Sequence, residues 1–146
     1  MGATQIDYSA VFRCVPVPIL LMTPGQVIAD ANQAYCDLSG RACEDLIGRP
    51  VSEAFPDDPE ESGATGASKL RASLTRVAET GESDVMGLQR FDIEAADNPG
   101  EYNERYWCPV NAPLLGTGGE VTMILHVVEE VPSLIRRILE AEAANA

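Results

Sequence analysis

The chain has 146 residues, of which 45% are hydrophobic and 23% are charged. This length fits one domain with its own core, and the charged fraction argues against general disorder. The formal net charge of −13 opposes binding to nucleic acid or to anionic membranes, because both carry negative charge. We therefore expect a single globular domain that has neither nucleic acid nor a membrane as a partner.

The beginning of the chain predicts a helix followed by a hairpin. Apolar residues at helical spacing over residues 8–15 predict a short amphipathic helix that a proline ends. The apolar run 18–22 and the segment 27–29 predict two strands. Residues 23–26 connect them, and their proline–glycine pair is typical of a tight turn.

The middle of the chain predicts short helices and then a longer one. Asn32 is the predicted N-cap of a helix that Gly40 ends in the left-handed conformation. Residues 44–47 and 51–55 each predict one further turn of helix. The apolar stripe over residues 67–79 predicts an amphipathic helix of normal length.

The last third predicts three strands and a final helix. The strands are expected at residues 85–93, 105–115 and 121–131, and the glycine-rich segment 116–119 is a hairpin loop. The order of elements predicts an α+β fold in which helices cover one face of a five-stranded antiparallel sheet. We expect an N-terminal flanking helix within residues 1–17, the domain proper over 18–131 and a C-terminal linker helix over 132–146.

Three segments of the chain resemble the signature of PAS domains. Residues 31–40 read Ala-Asn-Gln-Ala-Tyr-Cys-Asp-Leu-Ser-Gly, and residues 44–49 follow at the PAS spacing with Glu-Asp-Leu-Ile-Gly-Arg. Residues 119–131 resemble the PAS ending. Residues 104–113 resemble a subgroup of bacterial multidomain sensors and phosphatase regulators. The resemblance covers about residues 8–132.

The resemblance implies a sensory fold with a cavity between sheet and helices, often dimeric, whose terminal helices pass a signal to an output domain. It also argues against the two best-known cofactors. Flavin photosensors carry Asn-Cys after the Gly-Arg pair, where this chain has Pro50 and Val51. Haem sensors usually ligate iron through a histidine of the long helix, and residues 67–79 contain none. We therefore predict no cofactor.

Few residues suggest chemistry. His126 is the only histidine and lies in mid-strand, so we interpret it as structural, with haem ligation or base catalysis as the alternative. The four cysteines lack C-x-x-C spacing and no secretory signal is visible, which predicts free, mostly buried thiols in a reducing cytoplasm. Acidic residues 57–61 and 92–104 are solvated loops, or else dock a basic partner or a cation.

The last hairpin predicts two sheet faces. If Leu115 pairs with Glu120, alternate residues of its strands share a face. The first face is almost wholly apolar and is expected to pack against the helices. It carries Tyr106, Cys108, Val110, Ala112, Leu114, Met123, Leu125 and Val127. The second is expected to face outward, and it carries Trp107, Pro109, Asn111, Pro113, Thr122, Ile124, His126 and Val128.

The resemblance implies a sensory and regulatory module of a two-component or related signalling pathway, and not an enzyme. It would bind a small apolar ligand, form a homodimer, and act on an output domain or partner such as a kinase or phosphatase. The candidate cavity residues are Phe55, Leu70, Leu74, Met86, Leu88, Tyr106, Cys108, Met123 and Leu125. The candidate dimer residues are Tyr8, Val11, Phe12, Trp107, Ile124 and Val128. Two alternatives stay open: a docking module with a filled core, and a small cone-shaped isomerase or dehydratase.

Overall fold

The structure is a computed structural model that describes residues 4–54, 66–90, 93–94, 98–103, 105–131 and 133–145. It has the predicted α+β composition. The helices are α1 (Tyr8–Cys14), α2 (Gln33–Ser39), α3 (Cys43–Leu46), α4 (Val51–Ala54), α5 (Gly66–Thr80) and α6 (Ser133–Ala144). The strands are β1 (Ile19–Met22), β2 (Ile28–Ala31), β3 (Asp84–Val85), β4 (Gln89–Arg90), β5 (Ile93–Glu94), β6 (Tyr102–Asn103), β7 (Tyr106–Trp107), β8 (Val110–Leu115) and β9 (Val121–Val127).

Five of the strands form one antiparallel sheet in the order β2-β1-β9-β8-β3. The two hairpins, β1–β2 and β8–β9, lie side by side because β1 pairs with β9. Strand β3 is added at the edge of β8. The predicted five-stranded antiparallel sheet is confirmed.

The helices position the core on one face of this sheet. Helix α5 contacts β3, β8 and β9, while α2 contacts β1 and α3 contacts β2. Leu74 and Val77 of α5 are fully buried, as the apolar stripe of that helix predicts. We call the sheet face that packs against α5 the inner face and the opposite one the outer face.

The predicted long strands 85–93 and 105–115 are broken into shorter ones. Gly87 has a φ of 74° and interrupts the first, which continues as β4 and β5 outside the main sheet. These pair with β7 and β6 in two small two-stranded sheets. Pro109 has no N–H to donate and separates β7 from β8. The prediction of two continuous strands is therefore wrong.

The register of the last hairpin also differs from the prediction. Leu115 pairs with Val121 instead of Glu120. The next pair is Leu114 with Met123, so Thr122 has no paired residue on β8 and the register shifts by one residue at this point. Relative to the prediction, the remaining pairs are moved by two residues, so that Asn111 lies opposite His126. A shift of two keeps the same residues together on each face of the hairpin, because side chains alternate with a period of two.

Local caps hold the first helices as the sequence predicts. Asn32 accepts a hydrogen bond from Tyr35 N (3.0 Å) with its side-chain oxygen and so caps α2. Gly40 ends α2 with a φ of 69°. Asn32 is fully buried, and its side chain also bonds Ile19 N (3.0 Å) and Val17 O (2.9 Å). The cap therefore ties α2 to the start of β1.

The turn of the first hairpin forms at the predicted residues, with Gln26 N donating to Thr23 O (2.9 Å). The left-handed residue is Gln26, with a φ of 68°, and not Gly25. The side chain of Gln26 donates to Arg71 O (3.2 Å) and Thr75 Oγ1 (3.0 Å) of α5. These bonds hold the hairpin turn against the long helix.

The cysteines correct the prediction of free thiols. Cys36 and Cys43 form a disulfide with a Cα–Cα distance of 5.6 Å, whereas Cys14 and Cys108 are free. The chain reverses at Gly40, between the two bonded residues, which brings the end of α2 beside the start of α3. This local reversal explains how a pair without C-x-x-C spacing meets.

Both flanking helices carry exposed apolar side chains. No residue of α1 is buried, and Tyr8 is 72% exposed. In α6, Ile135, Ile138 and Leu139 are all exposed. Neither these nor the other described helices are both long and apolar enough to cross a bilayer.

Candidate functional site

A line of buried polar side chains joins the inner face of the sheet to helix α5. His126 Nδ1 lies 2.7 Å from Asn111 Oδ1, and Asn111 Nδ2 lies 2.8 Å from Ser73 Oγ. The hydroxyl of Ser73 is bonded to Asp84 at the edge of the sheet. His126, Asn111 and Ser73 are each at most 4% exposed. We call these four residues the polar line.

Elementary bonding rules fix the direction of every proton in the polar line. The carboxylate of Asp84 only accepts, so Ser73 donates to it and accepts from the amide nitrogen of Asn111. The amide oxygen of Asn111 therefore accepts from His126, whose neutral ring carries its proton on Nδ1. All donors point from the core toward Asp84.

The two ends of the polar line differ in charge. Burial lowers the pKa of His126 from 6.5 to about 4, because a charged ring would lose its hydration. At the other end, hydrogen bonds from Ser73 and then Arg76 lower the pKa of Asp84. Arg76 Nη2 lies 3.2 Å from the same carboxylate. At neutral pH the line thus runs from a neutral imidazole to an anion.

A solvent-open depression of about 230 Å³ lies at the Asp84 end. Its wall consists of Lys69, Ala72, Ser73, Arg76, Asp84, Val85, Met86 and Gln89. Gln89 is held in place because its side chain donates to Met86 O (2.9 Å). The depression therefore combines charged groups at its rim with a hydroxyl that leads into the core.

This arrangement does not activate a nucleophile. Asn111 separates Ser73 from His126, so the imidazole does not contact the hydroxyl and cannot remove its proton. Over the described ranges, no three or more His, Cys, Asp or Glu residues gather as a group that would hold a metal ion. The polar line joins α5 to the sheet through a continuous series of hydrogen bonds that ends at Asp84.

The outer face is a second candidate surface. Apolar side chains of three neighbouring strands lie together on it, and most keep part of their area exposed. They are Ile19 and Leu21 of β1, Met123, Leu125 and Val127 of β9, and Val110, Ala112 and Leu114 of β8. A continuous apolar patch of this kind marks an interaction surface in soluble proteins.

The structure exchanges the inward and outward directions of the two predicted faces of the last hairpin, so the predicted facing is wrong. Trp107, Ile124 and Val128 belong to the core instead of the outer surface. Tyr106, Cys108, Met123 and Leu125 alternate with buried residues and lie on the outer side, half-buried. Polar Asn111 and His126 suggested an outward face. They are buried because they satisfy each other and Ser73, which removes the cost of burial.

The remaining candidate cavity residues differ in burial and location. Leu70 and Leu74 face the core from α5, and Met86 lines the depression. Leu88 is 46% exposed, and Phe55 lies outside the described residues. Acidic residues 57–61 also lie outside them.

The proposed contacts of the N-terminal helix remain available at the surface. Tyr8 and Val11 are exposed and Phe12 is half-buried, so α1 presents apolar side chains, as predicted.

Ser73 and Asp84 are not among the residues predicted for a site. A signal for Ser73 was present, because it stands three residues after Leu70 and four before Val77 on the apolar stripe of α5. A polar residue on such a stripe requires a buried partner. No comparable signal marks Asp84, which only the pairing of β3 with β8 brings to Ser73.

Comparisons with known proteins establish the family. A family model for the PAS fold matches residues 6–131. Because this match covers most of the chain, the protein belongs to the PAS family, as the resemblance predicted. PAS domains are generally sensory and signalling modules and not enzymes. A search of curated proteins finds no match.

Solved structures agree with this fold. The PAS domain of Bordetella pertussis BvgS is 19% identical with a TM-score of 0.60, over 92% of this chain and 93% of that one. A PAS domain from Colwellia psychrerythraea is 18% identical with a TM-score of 0.61, over 85% and 93%. The Vibrio cholerae VqmA dimer without target DNA is 18% identical with a TM-score of 0.59, over 89% of this chain but 53% of that one. The chain thus spans about half the length of VqmA.

Proposed function

We propose that this PAS domain is a cytoplasmic sensory module that works as a homodimer, with two outer faces packed against each other. The observation that carries the proposal is the outer face itself, where apolar side chains of β1, β8 and β9 remain partly exposed. A second copy offers the same apolar surface, and a two-fold contact between identical faces closes on itself. The VqmA structure, which is of a dimer, is consistent with such an assembly.

The flanking helices extend the proposed interface. Tyr8 and Val11 of α1 are 72% and 47% exposed, and Ile138 of α6 is 48% exposed. Helices with apolar stripes of this kind become buried when two copies meet. Helix α6 follows β9, whose outward side chains belong to the outer face, so it is the element through which we expect a signal to reach an output partner such as a kinase or phosphatase.

The experiment is a measurement of molar mass in solution by light scattering. The parent chain is expected to be dimeric at micromolar concentration. Leu125→Glu places a charge in the middle of the outer face and is expected to give monomers, because burying an unpaired carboxylate is costly. Ser52→Glu adds the same charge at an exposed position of α4 and serves as the matched control. A monomeric parent, or equal masses for both variants, would contradict the proposal.

A small ligand is the second candidate input, and the depression beside Asp84 favours it. Ser73 and Met86 line this opening, and Leu70 and Leu74 lie on the same helix toward the core. A ligand there would combine contact with Met86 with the hydroxyl of Ser73, the carboxylate of Asp84 and the cationic side chains of Lys69 and Arg76. Native mass spectrometry of the purified chain tests this role: a retained small molecule supports it, and a bare chain supports the docking module with a filled core.

A further inference from the structure

The disulfide lies at the corner between α2 and α3, at the border between core and solvent. Cys36 is 5% exposed and belongs to the core, whereas Cys43 is half-buried at the start of α3. Both cysteines pack against the core, with Cys43 Sγ 3.8 Å from Ala31 O, but Cys43 keeps more accessible area than Cys36. An incoming reagent would meet Cys43 first.

The surrounding contacts allow the fold to persist without the bond. Leu46 at the end of α3 is fully buried and anchors that helix independently of the disulfide. Arg41 Nη1 donates to Ala54 O (2.8 Å) and holds the connecting segment against α4. Cys36 fills its place in the core as a small apolar side chain whether or not it is oxidised. The disulfide additionally restrains the start of α3, where the N-cap residue Ala42 makes no side-chain hydrogen bond.

Helix α2 connects this corner to the joint of the N-terminal helix. Cys36 N donates to Asn32 O (3.2 Å), so the cysteine lies one turn after the cap. The side chain of Asn32 bonds Val15 O (3.3 Å) and Val17 O (2.9 Å), the segment that links α1 to β1. A movement of α2 thus reaches the segment that orients α1.

We propose that Cys36 and Cys43 are a reversible dithiol–disulfide site whose oxidant is a low-molecular-weight disulfide. The thiolate of Cys43 attacks the oxidant, forms a mixed disulfide and releases one thiol. The thiolate of Cys36 then attacks the sulfur of Cys43 and releases the second thiol. The two protein thiols together lose two protons and two electrons, and the oxidant is reduced to two thiols. Cysteine pairs that bond in a reducing cytoplasm are usually redox-responsive. The role of this pair as a signalling input rests on the proposed sensory function of the domain.

The first test follows the two sulfurs directly in the full chain. A Cys14→Ser, Cys108→Ser double variant retains only this pair and is equilibrated in glutathione buffers from fully reduced to fully oxidised. Alkylation and intact mass should show a graded change between two alkylated thiols and a form lighter by two hydrogen atoms. A pair that stays bonded throughout, or stays reduced throughout, would overturn the proposal.

Single variants in the same background test the order of attack. Cys36→Ser should leave Cys43 free to accumulate one glutathione, because the resolving thiol is missing. Cys43→Ser should leave the enclosed Cys36 largely unmodified in the same time. Equal glutathione adducts in both variants would contradict the assignment of Cys43 as the attacking thiol.

A third measurement uses the parent chain and requires no variant to fold. Hydrogen exchange followed by mass spectrometry should be faster in residues 37–42 after reduction, with α5 unchanged as the internal reference. Equal exchange rates in the oxidised and reduced states would show that the disulfide does not restrain this segment. The thiol measurements do not depend on the oligomeric state. A monomer with a redox-active cysteine pair would therefore refute only the proposed homodimer. A dimer with an inert cysteine pair would refute only the proposed redox site.

Discussion

The fully buried imidazole of His126 should make the stability of the fold depend on pH in mildly acidic solution. Burial lowers the pKa of this ring from 6.5 to about 4. Between these two values the unfolded chain binds a proton that the folded chain refuses, so acid favours unfolding. Stability is therefore highest above about pH 6.5 and is lost progressively toward pH 4.

The magnitude follows from the two pKa values. A tenfold difference in proton affinity corresponds to about 1.4 kcal/mol, so the pair 6.5 and about 4 gives a loss of about 3 kcal/mol by pH 4. About 2 kcal/mol of this should already be lost at pH 5. Such a loss is a large part of the stability of a small domain.

Two assays measure the effect. His126 is the only histidine, so an NMR titration of tag-free protein reports one imidazole, expected to be a Nδ1–H tautomer until about pH 4. Urea unfolding at several pH values gives the stability directly. His126→Asn is the control, because its amide nitrogen takes the position of Nδ1 and does not titrate. A ring that titrates near 6.5, or equal acid losses in parent and variant, would refute the reasoning.

Four further outcomes are expected. Leu74→Ala should lower the free energy of unfolding by about 2–5 kcal/mol, and an unchanged urea midpoint would show that α5 does not face the core. Asn111→Ala should lower the free energy of unfolding by about 1–3 kcal/mol because the buried Nδ1–H of His126 loses its acceptor while Ser73 keeps Asp84, and a near-neutral result would contradict the polar line. Phe12→Glu should shift the dimer toward monomer in light scattering, with unchanged circular dichroism; an unaltered molar mass would remove α1 from the interface. The purified protein should be colourless, and a flavin or haem absorption band that survives dialysis would contradict the prediction that the domain binds no cofactor.

The sequence was sufficient wherever the determining contacts are local. Asn32 caps α2 through Tyr35, only three residues away, and Gly40 ends that helix by its own conformation. The order of strands and helices follows from such signals, and with it the five-stranded sheet. The same local reasoning could have found the disulfide, because Cys36 and Cys43 stand on either side of the reversal at Gly40. Only the assumption of free thiols prevented it.

The hairpin alone does not predict which of its two faces packs against the helices. Both faces of β8 and β9 are rich in apolar residues, so hydrophobic alternation does not choose between them. The deciding partner, Ser73, is 38 residues from Asn111 in the chain. The polar character of Asn111 and His126 predicted exposure to solvent. The hydroxyl of Ser73 from α5 completes their hydrogen bonds, and this makes their burial favourable.

The alternation that separates the two faces also couples them. Asn111 and His126 form a cross-strand pair on the inner face, and the next pair along the same strands, Val110 and Val127, lies on the outer face. The backbone between these pairs is shared, so a change in spacing or twist at one is felt at the other. Neutralising Asp84 would weaken its bond to Ser73 and loosen α5 from β8. In the proposed dimer, an event at the depression would therefore reach the interface across the thickness of a single sheet.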